Sequence, residues 1–423
     1  MSPRKSTAEI VKEIIQAGGC SHPIRLRGEF VDTRTGEVNE RSLLVACKDR
    51  RVVVCPSCSY LCKADAWIIV SAGLVGGKGV PSSVREHPRL FVTLTAPSFG
   101  AVHARRERGP CRATSRPPCR HGLSTECNIR HNEDDPLVGS PLCDRCFDYV
   151  GAVLWNAEAS RLWNRSLEQV RRRLSTSQNW AMGQSLEPTR LSYLKVAEFQ
   201  RRGLAHFHVI VRADGYGEAF NSPPAHVSSD DLAEAFASVA SHFSITGSQG
   251  DIAWGRQFSI SDASALERDD LRIAAYLAKY ATKTTDGSTD FARRFHSRAE
   301  ILRLDNPAHL RRLALTTWDL ALDPDHRDMN LRAHSHTFGF RGQLITKSRH
   351  FSTRFQDLRD ARAAFMATSE SHEPVTGSFV FDGRGYDDPH TTEVAEFLHR
   401  LSLEARKAPS PRLAGDVETE GTK

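Results

Sequence analysis

Apolar positions along this chain recur with two periods, and the places where one gives way to the other outline the fold. Residues 1–19 place isoleucines, valine and alanine at helical spacing among charges and predict a short amphipathic helix. LFVTLTAP, residues 90–97, alternates, is β-branched and stops at a proline, so it predicts a strand. From 101 to 147 no period survives; Arg, Pro, Gly, Cys and His dominate. Helical spacing returns at 148–174, where arginines gather at the end. YLKVAEFQ (193–200) and AHFHVIVRA (205–213) then read as two strands joined by the tight RRGL turn. Residues 231–243 and 267–283 read as helices, the region beyond 290 as Arg-rich and α-helical, and 404–423 as a disordered polar tail. Strand, insert, helix, hairpin, helix, strand and helix in that order predict an α+β domain with a central antiparallel sheet. The expected division is a Cys-rich region at 1–89, a catalytic domain at 90–285 with an insert at 101–147, a basic region at 286–403, and the tail.

Composition narrows the function classes. The chain has 423 residues, a formal charge of +6, 26% charged and 39% hydrophobic residues, which excludes wholesale disorder and allows two or three domains. No run of about 18 apolar residues predicts a membrane span, and the start lacks the apolar stretch of a signal peptide, so a cytoplasmic protein with no membrane partner is expected. Arginine outnumbers lysine 46 to 11, and guanidinium groups suit bidentate phosphate contacts, so nucleic acid is one reading of this bias and the arginine-rich codon usage of a high-GC genome is an equal one. The glycine-rich GLVGGKG at 73–79 is no P-loop, since Gly79 stands where Ser or Thr is needed and Ala72 where the first glycine belongs. No other Walker-type sequence is present, which argues against a built-in helicase.

Ten cysteines in a reducing compartment call for a reason. Cys55-Pro-Ser-Cys58 and Cys143-Asp-Arg-Cys146 are CxxC pairs, of which chance would supply about a quarter of one. A two-residue gap suits zinc thiolates, and a closed site takes four ligands. One site is expected at Cys20, Cys47, Cys55 and Cys58. A second is expected from among Cys119, His121, Cys127, His131, Cys143 and Cys146, giving one or two structural Zn²⁺ ions.

His206-Phe207-His208 lies on a predicted strand, so both imidazoles share one face while Phe207, Val209 and Val211 pack behind. Glu198 and Gln200 on the paired strand are candidates for a third, oxygen ligand. Downstream, Tyr276, Lys279 and Tyr280 share one face of a helix. Ile273, Tyr276, Leu277 and Tyr280 equally make a core-facing stripe. The ordered conjunction of a TLT strand, an HFH strand and a YxxKY helix favours chemistry.

At this conjunction the chain resembles the HUH endonucleases in their rolling-circle replication initiator branch, through FVTLTAP, EFQRRGLAHFH and YLAKYATK. It is most similar to the Cys-rich initiators of actinobacterial plasmids and integrative elements. CxxRR followed by CPSC, GGKGVP, PLCDRCFDY, AVLWNAEASRLW and GFRGQLITKSRHFS carry that likeness over residues 20–355. The resemblance implies an HUH fold with an RRM/ferredoxin-like central sheet. It also implies a catalytic Mg²⁺ or Mn²⁺ on His206 and His208 with Glu198 or Gln200, and a tyrosine nucleophile, Tyr276 or Tyr280, assisted by Lys279. The two-tyrosine spacing is similar to that of single-stranded-DNA phage initiators. Arg272 stands where some one-tyrosine initiators have a glutamate, which points to Tyr280 for second strand transfer. Relaxases place their tyrosine before the histidines, whereas here it follows them. Implied partners are origin DNA, double- and single-stranded, with a host helicase and polymerase. Candidate DNA contacts are Arg171, Arg172 and Arg173, and the stretch containing Arg341, Lys347 and Arg349, where Phe338, Phe340, Phe351 and Phe355 interleave. The alternatives are a non-enzymatic zinc-dependent DNA-binding regulator and an HUH transposase.

Overall fold

The computed structural model describes residues 5–32, 38–112, 117–182, 189–263, 269–280, 290–367 and 375–407. In chain order its first elements are α1 (Thr7–Gln16), β1 (Ile24–Asp32), β2 (Val38–Val45), α2 (Pro56–Val75) and β3 (Arg89–Thr95). After the insert come α3 (Tyr149–Met182), β4 (Thr189–Phe199), β5 (Ala205–Gly215), α4 (Ser229–His242), β6 (Ser244–Gly247), β7 (Gly250–Ala253) and β8 (Phe258–Asp262). The remainder is α5 (Asp269–Tyr280), α6 (Arg298–Leu302), α7 (Ala308–Leu320), β9 (Ile345–Lys347), α8 (Phe355–Ala367), β10 (Val375–Arg384) and α9 (Pro389–Lys407). The chain is α+β with antiparallel sheets, as its pattern predicts.

Two compact units result, and neither is contiguous in sequence. Residues 1–49, 55–60 and 372–423 form the smaller; 50–54 and 61–371 form the larger. These borders do not coincide with 89, 285 and 403. The region beyond 286, expected to be helical, also supplies β9 and β10, and α9 carries helix to Lys407. Residues 408–423 of the expected tail lie outside the described residues.

The larger unit is built on a five-stranded sheet, order β8-β3-β5-β4-β9. Alternation along each strand sends every second side chain to the same face. Leu90, Val92 and Leu94 of β3, and Phe207, Val209 and Val211 of β5, are buried with Trp155 and Trp163 of α3 and Phe236 of α4. The opposite face buries Leu194, Val196 and Ile210 against Ile69, Val70 and Leu74 of α2, Ala274 and Leu277 of α5, and Phe351. The β4–β5 turn closes through Gly203, whose φ of +76° is open to glycine without strain.

The smaller unit pairs β10, β1 and β2 in one antiparallel sheet. Its α1 starts at a capping box made by Ser6 and Glu9. Among the described helices α2 alone is long and apolar enough to cross a membrane, by length and composition only. Ile69 and Leu74 on it are nonetheless fully buried and Asp65 pairs with Arg362 at 2.6 Å, the habit of a core helix. The glycine-rich loop follows the C-terminus of α2, where a phosphate-binding loop would precede a helix.

Candidate active site and Cys/His clusters

Strand register assembles the site. His206 of β5 lies opposite Thr95 of β3 on one side and Glu198 of β4 on the other; His208 lies opposite Thr93 and Val196. All of these therefore project from one face, at the end of the sheet where β4 turns into β5. The two imidazole rings are 4.6 Å apart and nearly perpendicular. Each Nδ1 meets a threonine hydroxyl, Thr95 at 3.1 Å for His206 and Thr93 at 3.4 Å for His208. Both Nε2 atoms thus face away from the strand that orients them, and Glu198 Oε2 stands 3.4 Å from Nε2 of His208. The Gln200 side-chain oxygen accepts from Arg202 Nε at 2.8 Å.

Helix α5 packs on this face and brings both tyrosines to it. The Tyr276 and Tyr280 rings each lie 5.1 Å from the His208 ring and 4.6 Å from each other. The helix buries Ala274, Leu277 and Ala278, and Tyr280, half-buried, packs against that core as well, while Tyr276 is 38% exposed. Lys279 is exposed in the last turn. Burial and the neighbouring His208 push His206 down to about 4, so at neutral pH its imidazole is uncharged. Burial, the hydrogen bond to Tyr280 and the Glu198 charge all raise the Tyr276 phenol above its ordinary value. The two threonines that meet these histidines are not singled out in the sequence; their T-x-T spacing, matching H-x-H, is the one signal that could have marked them.

Nine cysteines and three histidines form three groups of four among the described residues, each with ligand atoms within 4.8 Å of one another. All ten cysteines are free thiols. Cys20, Cys47, Cys55 and Cys58 form the first, in the grouping expected, with Cys20 and Cys55 sulfurs 3.7 Å apart. Hydrogen bonds shared among its four sulfurs, first of all with Cys20, drive the Cys55 thiol down and the Cys58 thiol up. Four sulfurs within 4.8 Å of one another make a closed, soft donor set that suits Zn²⁺.

The expected second site proves to be two. His103, Cys111, Cys127 and His131 make one, and Cys119, His121, Cys143 and Cys146 the other. His103 and Cys111 lie outside the set expected for the second site; Cys111 stands in the same Cys/His-rich run, but neither residue belongs to a CxxC pair. In the former group His131 Nε2 lies 3.2 Å from His103 Nδ1 and 3.4 Å from Cys127 Sγ, while its Nδ1 meets Asp135 at 2.6 Å. A carboxylate behind a ligating imidazole fixes its tautomer and raises its basicity. In the latter, His121 Nδ1 lies 3.2 Å from Cys146 Sγ. Three clusters, not one or two, can hold zinc.

Residues 6–400 match the family described as replication initiator protein, pSAM2. The chain belongs to this family. A replication initiator protein of Streptomyces ambofaciens is 34% identical, the alignment covering 97% of this chain and 93% of the relative. No solved structure matches.

In this pSAM2-type initiator the remaining candidate residues divide. Arg171, Arg172 and Arg173 are exposed on α3, and Arg349 is exposed beyond β9. Arg341 donates to the Ala157 carbonyl at 3.2 Å, and Lys347 to that of Ser352 at 2.7 Å, so both brace the fold. The aromatic half of that expectation is corrected: Phe338, Phe340 and Phe351 are fully buried in the two cores and cannot stack on bases. A further H-x-H triplet, His334-Ser335-His336, has both imidazoles half-buried on a short 3₁₀ turn.

Proposed function

We propose that this initiator is an HUH-type tyrosine nickase that opens one strand at a replication origin and later rejoins it. One observation carries the reading: the strand pairing and α5 converge two imidazoles, a carboxylate and two phenols on one end of one sheet face. The donor set fits a divalent cation, with His206 and His208 presenting Nε2 and Glu198 beside them. When bound there, Mg²⁺ or Mn²⁺ supplies Lewis-acid stabilisation of the scissile phosphate.

The chain's own groups do the rest. The Tyr276 oxygen, the more exposed of the two, attacks phosphorus; the P–O3′ bond breaks, leaving a 5′-phosphotyrosine and a 3′-oxygen that takes a proton to become the 3′-OH. A polymerase extends that end, which makes the nick an origin of rolling-circle synthesis and implies host helicase and polymerase as partners. Burial, the hydrogen bond to Tyr280 and Glu198 keep the Tyr276 phenol protonated until it attacks, and the proton it then releases balances the one taken up by the departing 3′-oxygen. Lys279 on the same helix supplies a cation for the phosphate oxygens. Tyr280, also 5.1 Å from His208, then cuts the regenerated site and allows resealing; its distance from His208, the same as that of Tyr276, supports this role.

The test is nicking of a supercoiled plasmid carrying the element's origin, with Mg²⁺ or Mn²⁺, by wild type, His208→Ala and Glu198→Gln. Wild type should relax the plasmid and both variants should fail. Origin binding without nicking by wild type would instead favour a DNA-binding regulator.

A further inference from the structure

The His103/Cys111/Cys127/His131 cluster borders a basic cavity of about 290 Å³ to which the nicking mechanism gives no task. Arg105, Arg106 and Arg130 line it, with Glu107 and Glu133 as the acidic members. Its two arms are set by metal ligands: Arg105 and Arg106 follow His103, and Arg130 immediately precedes His131. The cavity also adjoins the catalytic end of the sheet. Arg201, at the start of the β4–β5 turn, donates to the Glu133 carbonyl, and Gly139 packs so closely that a Cβ there would clash with the Arg201 carbonyl. Glu198 and His206 flank that turn on either side.

The arginines are held loosely enough to exchange partners. Arg105 pairs with Glu133 at 3.1 Å, but both side chains are largely exposed, where water and salt weaken an ion pair. Arg130 gives a bond to the Glu107 carbonyl at 3.2 Å, using one of the five donors of its guanidinium. Planar forks converging on one concavity match phosphate oxygens.

We propose that this cavity seats a backbone phosphate of the DNA strand leaving the catalytic end, with His103 and His131 holding its two arms in register. The inference rests on the reading of the chain as a DNA-nicking initiator and adds where on the insert the strand is gripped. Such a grip is independent of base sequence.

The test uses the full zinc-loaded chain and a fluorescein-labelled, mixed-sequence single strand of about 30 nucleotides, with anisotropy read over a salt series. Changing Arg105, Arg106 and Arg130 together to Gln should weaken binding about tenfold near physiological salt and flatten the log K against log salt slope by roughly 0.7 for each phosphate no longer neutralised. Changing all three to Lys should keep most of the slope; a loss as large as with Gln would make packing, not charge, the cause and overturn the proposal. Zinc content is measured for each variant, and if the triple variant loses metal, Arg106→Gln alone is read. An unchanged slope in a zinc-loaded Gln variant overturns the cavity while leaving the nicking reading intact. A wild type that fails to bind the strand at any salt overturns both.

Discussion

The Cys/His clusters and the His–Glu–Tyr site both gather polar side chains, but they do so in opposite ways. Each cluster brings four ligands within 4.8 Å of one another, drawn largely from segments with little regular structure. The His206–His208–Glu198 set is not among these closed groups; its donors sit on paired strands and open toward an exposed tyrosine. Closure suits a metal that holds the chain together, and an open position suits a metal that must also touch a substrate. The closed groups lie where regular structure is sparse, whereas the paired strands themselves hold the donors of the sheet site in place.

That contrast can be broken at its strongest point by removing metal selectively. Structural zinc in small modules is worth on the order of 10 kcal/mol, so a zinc chelator should expose residues 101–147 to protease and lower the melting temperature sharply. Leaving out Mg²⁺ and Mn²⁺ should abolish nicking and leave the melting curve in place. A chelated protein that melts like the loaded one would put the clusters outside the folding of the chain.

Next in size, His206→Ala should reduce nicking by about a thousandfold, the effect expected from removing several kcal/mol of phosphate stabilisation, with zinc content unchanged. Loss of zinc with nicking would mean that the two kinds of site are one system.

The opposite sheet face offers a control. Lys195 of β4 is 2% exposed and its ammonium sits 4.0 Å from the Phe207 ring centroid, and burial pushes its pKa down to about 7 from 10.5. The unfolded chain therefore binds more protons between those values. Stability should rise with pH across the window, and the penalty is fully present below about 7. Lys195→Met should raise the melting temperature at neutral pH by an amount corresponding to a few kcal/mol and flatten that pH dependence. An unchanged melting temperature would mean that the ammonium is hydrated.

The smallest expected effect is also the most local. Thr95→Val, which removes the hydroxyl 3.1 Å from His206 Nδ1, should weaken Mn²⁺ binding about tenfold by calorimetry, and Thr95→Ser should restore it. Thr93→Val should cost less, because its contact with His208 is 3.4 Å.

What was legible in the sequence follows from locality. The β4–β5 hairpin, the shared face of His206 and His208 and the tyrosine helix depend on short periods, and the structure has them where those periods put them. The pairing of Thr95 with His206 depends on register between strands more than a hundred residues apart, which no local pattern encodes. The same is true of β10, which pairs with β1 from the far end of the chain. Within 101–147 the ligands are visible as residue types, but the absence of any period hides which cysteine meets which histidine. The aromatic-and-arginine stretch misleads for a related reason: Phe338, Phe340 and Phe351 alternate with cations because the core needs the rings, not because DNA does.

The central claim is that a tyrosine of α5 becomes covalently joined to DNA. Incubating the protein with a 3′-labelled single strand that spans the origin nick site, then denaturing in detergent, isolates that bond on a gel. Wild type should carry label to the protein band. Tyr276→Phe should carry much less, and the Tyr276→Phe, Tyr280→Phe double variant none. Label that persists undiminished in the double variant would contradict the account.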